Sequence, residues 1–113
     1  MAQYSKMNGL QIEVQNNNDG STAISVNGMI DAYSYGQLEQ TFNNLINQNI
    51  YNLVVDLSNV DYLSSAGAGI FIGTLGIVQE NKGSIKLLNL RPKVQETFNL
   101  LGLTQFFAVS NNK

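Results

Sequence analysis

The chain has no cysteine and no histidine, and its 113 residues include a single proline. Without cysteine there is no disulfide framework, no thiolate nucleophile and no thiolate metal site. Without histidine the Ser-His and Cys-His nucleophile pairs are gone, together with the usual zinc sets and the commonest general base at neutral pH. Catalysis would have to rest on carboxylates, lysines or hydroxyls alone. Charge is scarce too, with 6 basic and 8 acidic residues, a net charge of −2 and one arginine, Arg91. Such a chain lacks the clustered basic surface that nucleic acids and anionic membranes require. The longest nearly apolar run, Ala66 to Val78, falls short of the roughly 20 residues that span a bilayer. No membrane insertion is expected. The opening residues, Met1 to Asn8, lack the basic-then-apolar order of a secretory signal, so a cytoplasmic location is expected. Asparagine and glutamine fill many polar positions where charges are commoner, and composition assigns that bias no function.

A chain of this length can bury one real core and is too short for two ordinary domains, so residues 1–113 read as one domain. Leu10, Ile12 and Val14 alternate with Gln11, Glu13 and Gln15, the period of a half-buried strand. Asn16 to Gly20 is turn chemistry, and Ala23 to Val26 returns as the second strand of an antiparallel hairpin. Ser34-Tyr35-Gly36-Gln37 has the form of a capping box, and Leu38, Phe42, Leu45 and Ile46 then make one helical stripe. Ile50 to Leu57 reads as a strand whose Leu53-Val54-Val55 core suggests burial on both faces.

A second helix is expected over about residues 66 to 82. Its Gly69, Gly73 and Gly76 share a face and each cost about 1 kcal/mol relative to alanine, which implies compensation by tight packing. Gly83 ends that helix, Ser84 to Leu88 is a strand, and Pro92 sits where a first helical residue belongs. Val94, Phe98 and Leu101 stripe a third helix that Gly102 stops. Phe106 to Val109 either closes the sheet or packs beneath it. The order β-β-α-β-α-β-α-β predicts an α/β domain with a mostly parallel sheet of four to five strands, an N-terminal antiparallel hairpin and helices packed against the sheet.

Residues 56 to 69 carry the densest information. A buried-strand pattern runs through a short polar stretch into two hydroxyls, Ser64 and Ser65, that open an apolar helix. A serine there is both a helix cap and an exposed handle, and phosphorylation would add about two negative charges where the helix dipole favours them. Spacing alone favours a helix cap over a switch for either serine. A right-handed crossover from the second to the third strand would bring the turns after Val26 and Leu57 to one edge, with Asp31 beside the serines. Asp31 reads equally well as a turn former. Asp56 reads as a structural hydrogen-bonding residue, Asp61 as a solvated loop charge, and Tyr33, Tyr35 and Tyr62 as an aromatic group near the same edge. Gly67-Ala68-Gly69 has the look of a phosphate-cradling turn, but no Walker-type run or full dinucleotide fingerprint accompanies it. Ser65 lies in no Gly-x-Ser-x-Gly elbow, and the chain is not expected to be an enzyme.

The run Val54-Val55-Asp56-Leu57-Ser58, followed by Val60-Asp61-Tyr62-Leu63 and Ser64-Ser65-Ala66-Gly67-Ala68-Gly69, resembles the signature of the sulphate transporter and anti-sigma factor antagonist (STAS) domain. Val26-Asn27-Gly28-Met29-Ile30-Asp31 is similar to that family's Gly-x-hydrophobic-Asp turn. The resemblance covers a core of about residues 10–109. It implies a stand-alone bacterial anti-sigma factor antagonist that regulates transcription by partner switching. Unphosphorylated, such a protein binds an anti-sigma factor that is also a serine protein kinase and so frees a sigma factor. The kinase then uses ATP to phosphorylate Ser65, with Ser64 the alternative, and a serine phosphatase resets the switch. The implied partner-binding surface comprises Asp31, Ser64, Ser65, Ala66, Gly67 and Gly69, with no cofactor, no metal and no catalytic residue. One position departs from the family pattern: Ser64 stands where an acidic residue commonly precedes the phosphoserine. The same domain also serves as a subunit of larger assemblies, a stressosome-like complex or the cytoplasmic component of a membrane transporter, without a phosphoswitch. A monomer or weak dimer is expected.

Overall fold

Alternating apolar residues and an Asp-Gly turn build a hairpin first. Strand β1 (Gln11–Asn16) runs antiparallel to β2 (Thr22–Ile30), and Gly20 in the turn takes φ +92°. The computed structural model describes residues 9–110, so the outer ends of the expected domain, 1–8 and 111–113, lie outside the described residues. After the hairpin come α1 (Tyr35–Asn47), β3 (Asn52–Leu63), α2 (Ser65–Glu80), β4 (Ser84–Leu88), α3 (Pro92–Leu100), a 3-10 turn (Thr104–Phe106) and β5 (Ala108–Ser110). The sheet order is β1-β2-β3-β4-β5, parallel from β2 onward.

Every parallel step advances in the same direction across the sheet, so right-handed crossovers deliver all the helices to one face. The core is the layer between them. There the Phe71 ring of α2 lies 5.6 Å from Phe42 of α1, 5.6 Å from Phe98 of α3 and 6.4 Å from Phe107, all edge to face. Phe107 packs beneath the sheet and β5 closes it. The described residues leave the opposite face uncovered, which corrects the expectation that β3 is buried on both sides. Leu53, Val55 and Leu57 are buried, while Asp56 is only partly covered and its sheet neighbour Ser25 is exposed.

Strands β2 and β3 both run beyond Val26 and Leu57, where the apolar pattern ends. Two register shifts explain why: between Ser25 and Asn27, and again between Gly28 and Met29, β3 carries an extra residue. Bulges of this kind break the two-residue period, so buried positions fall at 55, 57, 60 and 63 instead of alternating. Pairing nevertheless continues to Ile30 opposite Leu63. The segment read as a polar loop is therefore strand, and Asp61, read as a free loop charge, is ion-paired with Arg91, whose Nε also donates to Ser58 O at 2.7 Å.

All three helices end by the same bonding pattern. Ile50 N–H donates to Leu45 O, Gly83 N–H to Val78 O and Leu103 N–H to Phe98 O, with Asn49, Lys82 and Gly102 in the left-handed region. Lys82, not Gly83, thus takes the strained conformation that ends α2. Gly83 is needed for space, because a Cβ there would collide with the Tyr51 carbonyl. Two other expectations are corrected. Leu101 is exposed, lying past the buried Val94 and Phe98, and Gly69, Gly73 and Gly76 face open space, where an added Cβ would meet nothing within 4 Å. The glycine face of α2 is unpartnered, not tightly packed.

Candidate functional site

Parallel pairing of Ile30 with Leu63 brings together the two residues that follow them, Asp31 and Ser64. Ser64 N–H donates to Ile30 O at 2.8 Å and fastens the start of α2 to the end of β2. Ser64 is also the helix cap. Its backbone is extended, its Oγ accepts from Gly67 N–H at 3.0 Å, and its carbonyl accepts from Ala68 N–H. That leaves the N–H groups of Ser65 and Ala66 as the orphan donors of the first turn. Ser65, the first helical residue, is exposed, and its hydroxyl makes no hydrogen bond among the described residues. Adjacent serines thus differ: one is engaged and the other is free.

Asp31 is held by its own turn. Its Oδ1 accepts from Tyr33 N–H at 3.0 Å and from Ser34 N–H at 3.1 Å, and its carbonyl accepts from Tyr35 N–H. The Tyr33 N–H bond, with those from Ser34, holds the carboxyl below the ordinary aspartate value against an opposing effect of burial. Asp31 therefore caps the turn leading into α1, a job the sequence assigned to a Ser34–Gln37 box. Ser34 is buried and already in helical backbone geometry at φ −111°, ψ −14°, so its Oγ donates to Met29 O at 2.6 Å and accepts from Asp31 N–H at 3.0 Å. Gln37 turns instead to the backbone of Leu10, just ahead of β1. Ser34 is the site residue that sequence reasoning misplaced, since a Ser-x-x-Gln spacing looks the same whichever group the hydroxyl meets.

Gly67 is buried beneath the site. A Cβ there would lie 2.5 Å from Ile30 Cγ2 and 2.9 Å from Leu63 Cδ1, so this glycine lets α2 settle onto the ends of β2 and β3. It shapes the surface without being part of it. Gly67-Ala68-Gly69 lies in the first turn of α2 with the Gly67 N–H already used, and is not a phosphate loop. Ser65, Ala66 and Gly69 are exposed along α2. On the uncovered sheet face beside Asp31, Met29 pairs with Tyr62 at 51% and 48% exposure, and Tyr33 in the turn after β2 stands out at 88%. Tyr35 packs against the core and does not join them. Asp56 bonds to Ser58 N–H at 2.9 Å, the structural role its position suggested.

The matching family is the STAS domain, over residues 10–113. The chain is 34% identical over 96 residues to the anti-sigma-B factor antagonist of Bacillus subtilis strain 168, covering 85% of each protein. It superposes with a TM-score of 0.82 on an anti-sigma factor antagonist from Mycobacterium paratuberculosis at 27% identity, covering 95% of this chain and 90% of that one. With the anti-sigma factor antagonist SpoIIAA in its unphosphorylated form it shares the fold, with a TM-score of 0.79 at 18% identity over 91% of this chain and 89% of that one.

Proposed function

The chain belongs to the STAS domain family, and from that membership we propose that it is an anti-sigma factor antagonist working by a serine phosphoswitch. Unmodified, it docks on an anti-sigma factor that is also a serine protein kinase, through Asp31, Ser64, Ser65, Ala66 and Gly69 and the open glycine face of α2, and so releases a sigma factor. The kinase transfers phosphate from ATP to Ser65. A serine phosphatase reverses it. In this scheme the protein is a ligand and a substrate in the cytoplasm, not an enzyme.

The observation that carries the reading is the free, exposed Ser65 hydroxyl beside an engaged Ser64. A phosphate on Ser65 would adjoin the orphan N–H groups of Ser65 and Ala66, which stabilise it. The same group adds about two negative charges near Asp31 and opposes a partner surface built to receive one. The glycine face supports the docking half, because small exposed residues admit the backbone of a partner helix.

The test is phosphorylation by the cognate anti-sigma factor with ATP, mapped by peptide mass spectrometry, with affinity measured beside it. Ser65→Ala should abolish modification and keep binding, Ser64→Ala should still be modified at Ser65, and Ser65→Glu should weaken binding. The departure at Ser64 favours a second reading, a subunit of a larger assembly without a phosphoswitch. Recovery in a stable large complex, with no phosphate under growth or stress, would replace the first reading by this one.

A further inference from the structure

Strand β1 is a sheet edge, and its pairing with β2 sets the phase of its backbone groups. Asn17 N–H donates to Ser21 O at 2.9 Å, in the same register as every pair from Asn16–Thr22 to Gln11–Asn27. Bonded pairs alternate along an antiparallel ladder, so Gln11, Glu13 and Gln15 turn their N–H and C=O toward β2, and Leu10, Ile12, Val14 and Asn16 turn theirs outward. Leu10 fits this phase. Its N–H donates to Gln37 Oε1 at 2.8 Å and its C=O accepts from Gln37 Nε2 at 3.2 Å, so one side-chain amide stands in for a neighbouring strand. No side chain among the described residues does the same for Ile12 or Val14.

Edge strands are usually guarded by proline, lysine or inward charges. Strand β1 has none of these, and its one charge is Glu13. Beside it runs a groove against α1 of about 540 Å³, walled by Ile12, Gln37, Gln40, Thr41 and Asn44. A second hollow of about 330 Å³ shares Thr41 and Asn44 and reaches Val14, which is 45% exposed.

We infer that β1 is a self-association surface, on which a second copy of this chain lays its own β1 antiparallel with Val14 opposite Val14. Charge and hydrogen-bond complementarity select a copy as the occupant. Apart from Glu13, the polar walls are carboxamides and a hydroxyl, each both donor and acceptor, so identical surfaces satisfy one another where identical charges would repel. A two-fold axis normal to the sheet keeps every side chain on its own face, which allows only registers that pair odd positions with odd and even with even. With Val14 on the axis, Glu13 meets Gln15 of the second copy, a donor for its carboxylate. With Glu13 on the axis, two carboxylates would be directly opposite, which is destabilising. In the Val14-centred register Ile12 meets Asn16 of the second copy, and all the outward groups of Ile12, Val14 and Asn16 are bonded. The strand pairing bonds only Ile12, Val14 and Asn16 of each copy, so the dimer forms at high concentration. The glutamine and asparagine bias of this edge then has a use.

The test combines sedimentation and amide hydrogen exchange on the full chain across a concentration series. Mass should rise from 12.4 kDa toward twice that, and the Val14 and Asn16 amides should slow with concentration while those of Glu13 and Gln15 stay as they were. Val14→Pro removes only an outward N–H, which an edge strand tolerates, and should abolish the dimer. Val14→Lys, which leaves the backbone untouched and sets like charges on the axis, should do the same. A single-chain mass up to the solubility limit overturns the inference, as does a dimer that persists in both folded variants. Protection of these amides only after an anti-sigma factor is added would assign the edge to that partner and overturn it equally.

Discussion

Ser64 and Ser65 are the same side chain one position apart, and the geometry of a helix start divides their work. The cap residue has extended backbone, so its hydroxyl can reach the N–H of the third helical residue; the next residue already points its side chain outward. Ser64→Ala should therefore lower the unfolding free energy by about 1 kcal/mol, while Ser65→Ala should change it by less than about 0.5 kcal/mol in the same urea titration. Asp31 gives a pH prediction. Its carboxyl titrates below the ordinary aspartate value of 3.8 because the ionised form accepts the Tyr33 and Ser34 N–H bonds. A depressed folded value means that its contribution is present above the unfolded pKa and lost as pH falls through the folded one. The carboxyl resonance of Asp31 should have a midpoint below 3.8 by NMR. Asp31→Asn keeps an oxygen acceptor for the turn, so it should fold while flattening the acid limb of the stability curve. An unchanged limb would show that the bonds hold Asp31 without favouring its charge.

Helix α2 sorts its glycines by what stands opposite them. Gly67 has Ile30 and Leu63 against it, and Gly67→Ala should destabilise by about 1–3 kcal/mol through overpacking. Gly73 and Gly76 face open space, so Gly73→Ala and Gly76→Ala should each stabilise the fold by about 0.5–1 kcal/mol, read as a higher urea midpoint. If this face receives a partner, the same alanines should weaken anti-sigma factor binding while they strengthen the fold. No change in binding would remove the face from the docking surface. The spacing of these glycines was legible in the sequence, but the side they faced was not. A helical period shows which residues share a face and is silent on which neighbour that face meets. Ser34 and Gln37 failed for a related reason: the box motif presumes a cap at Ser34, whereas β2 ends in a turn that Asp31 had already capped.

At the scale of the whole molecule, the one-sided sheet concentrates the core around Phe71, whose ring meets Phe42 of α1, Phe98 of α3 and Phe107 ahead of β5. Phe71→Ala should cost about 3–5 kcal/mol by equilibrium unfolding, because three rings cannot all move into the space it leaves. A loss under about 1 kcal/mol would mean the layer collapses easily and its rings do not interlock.

Element order, the hairpin, the helix stripes and the pair of hydroxyls at a helix start were all set by local pattern, because period, turn chemistry and capping act over a few residues. The placement of Asp31 near Ser64 followed from the crossover rule alone, since parallel strands joined in sequence must end at a common edge. Tertiary structure decided the rest. It lengthened β2 and β3 through bulges that only pairing reveals, left one sheet face bare because every crossover runs the same way, and made Ser64 the cap by docking α2 on Ile30. It also set which of two identical hydroxyls stays free, because that depends on where the extended backbone ends, and the end of β3 is fixed by its neighbour strand and not by its own residues.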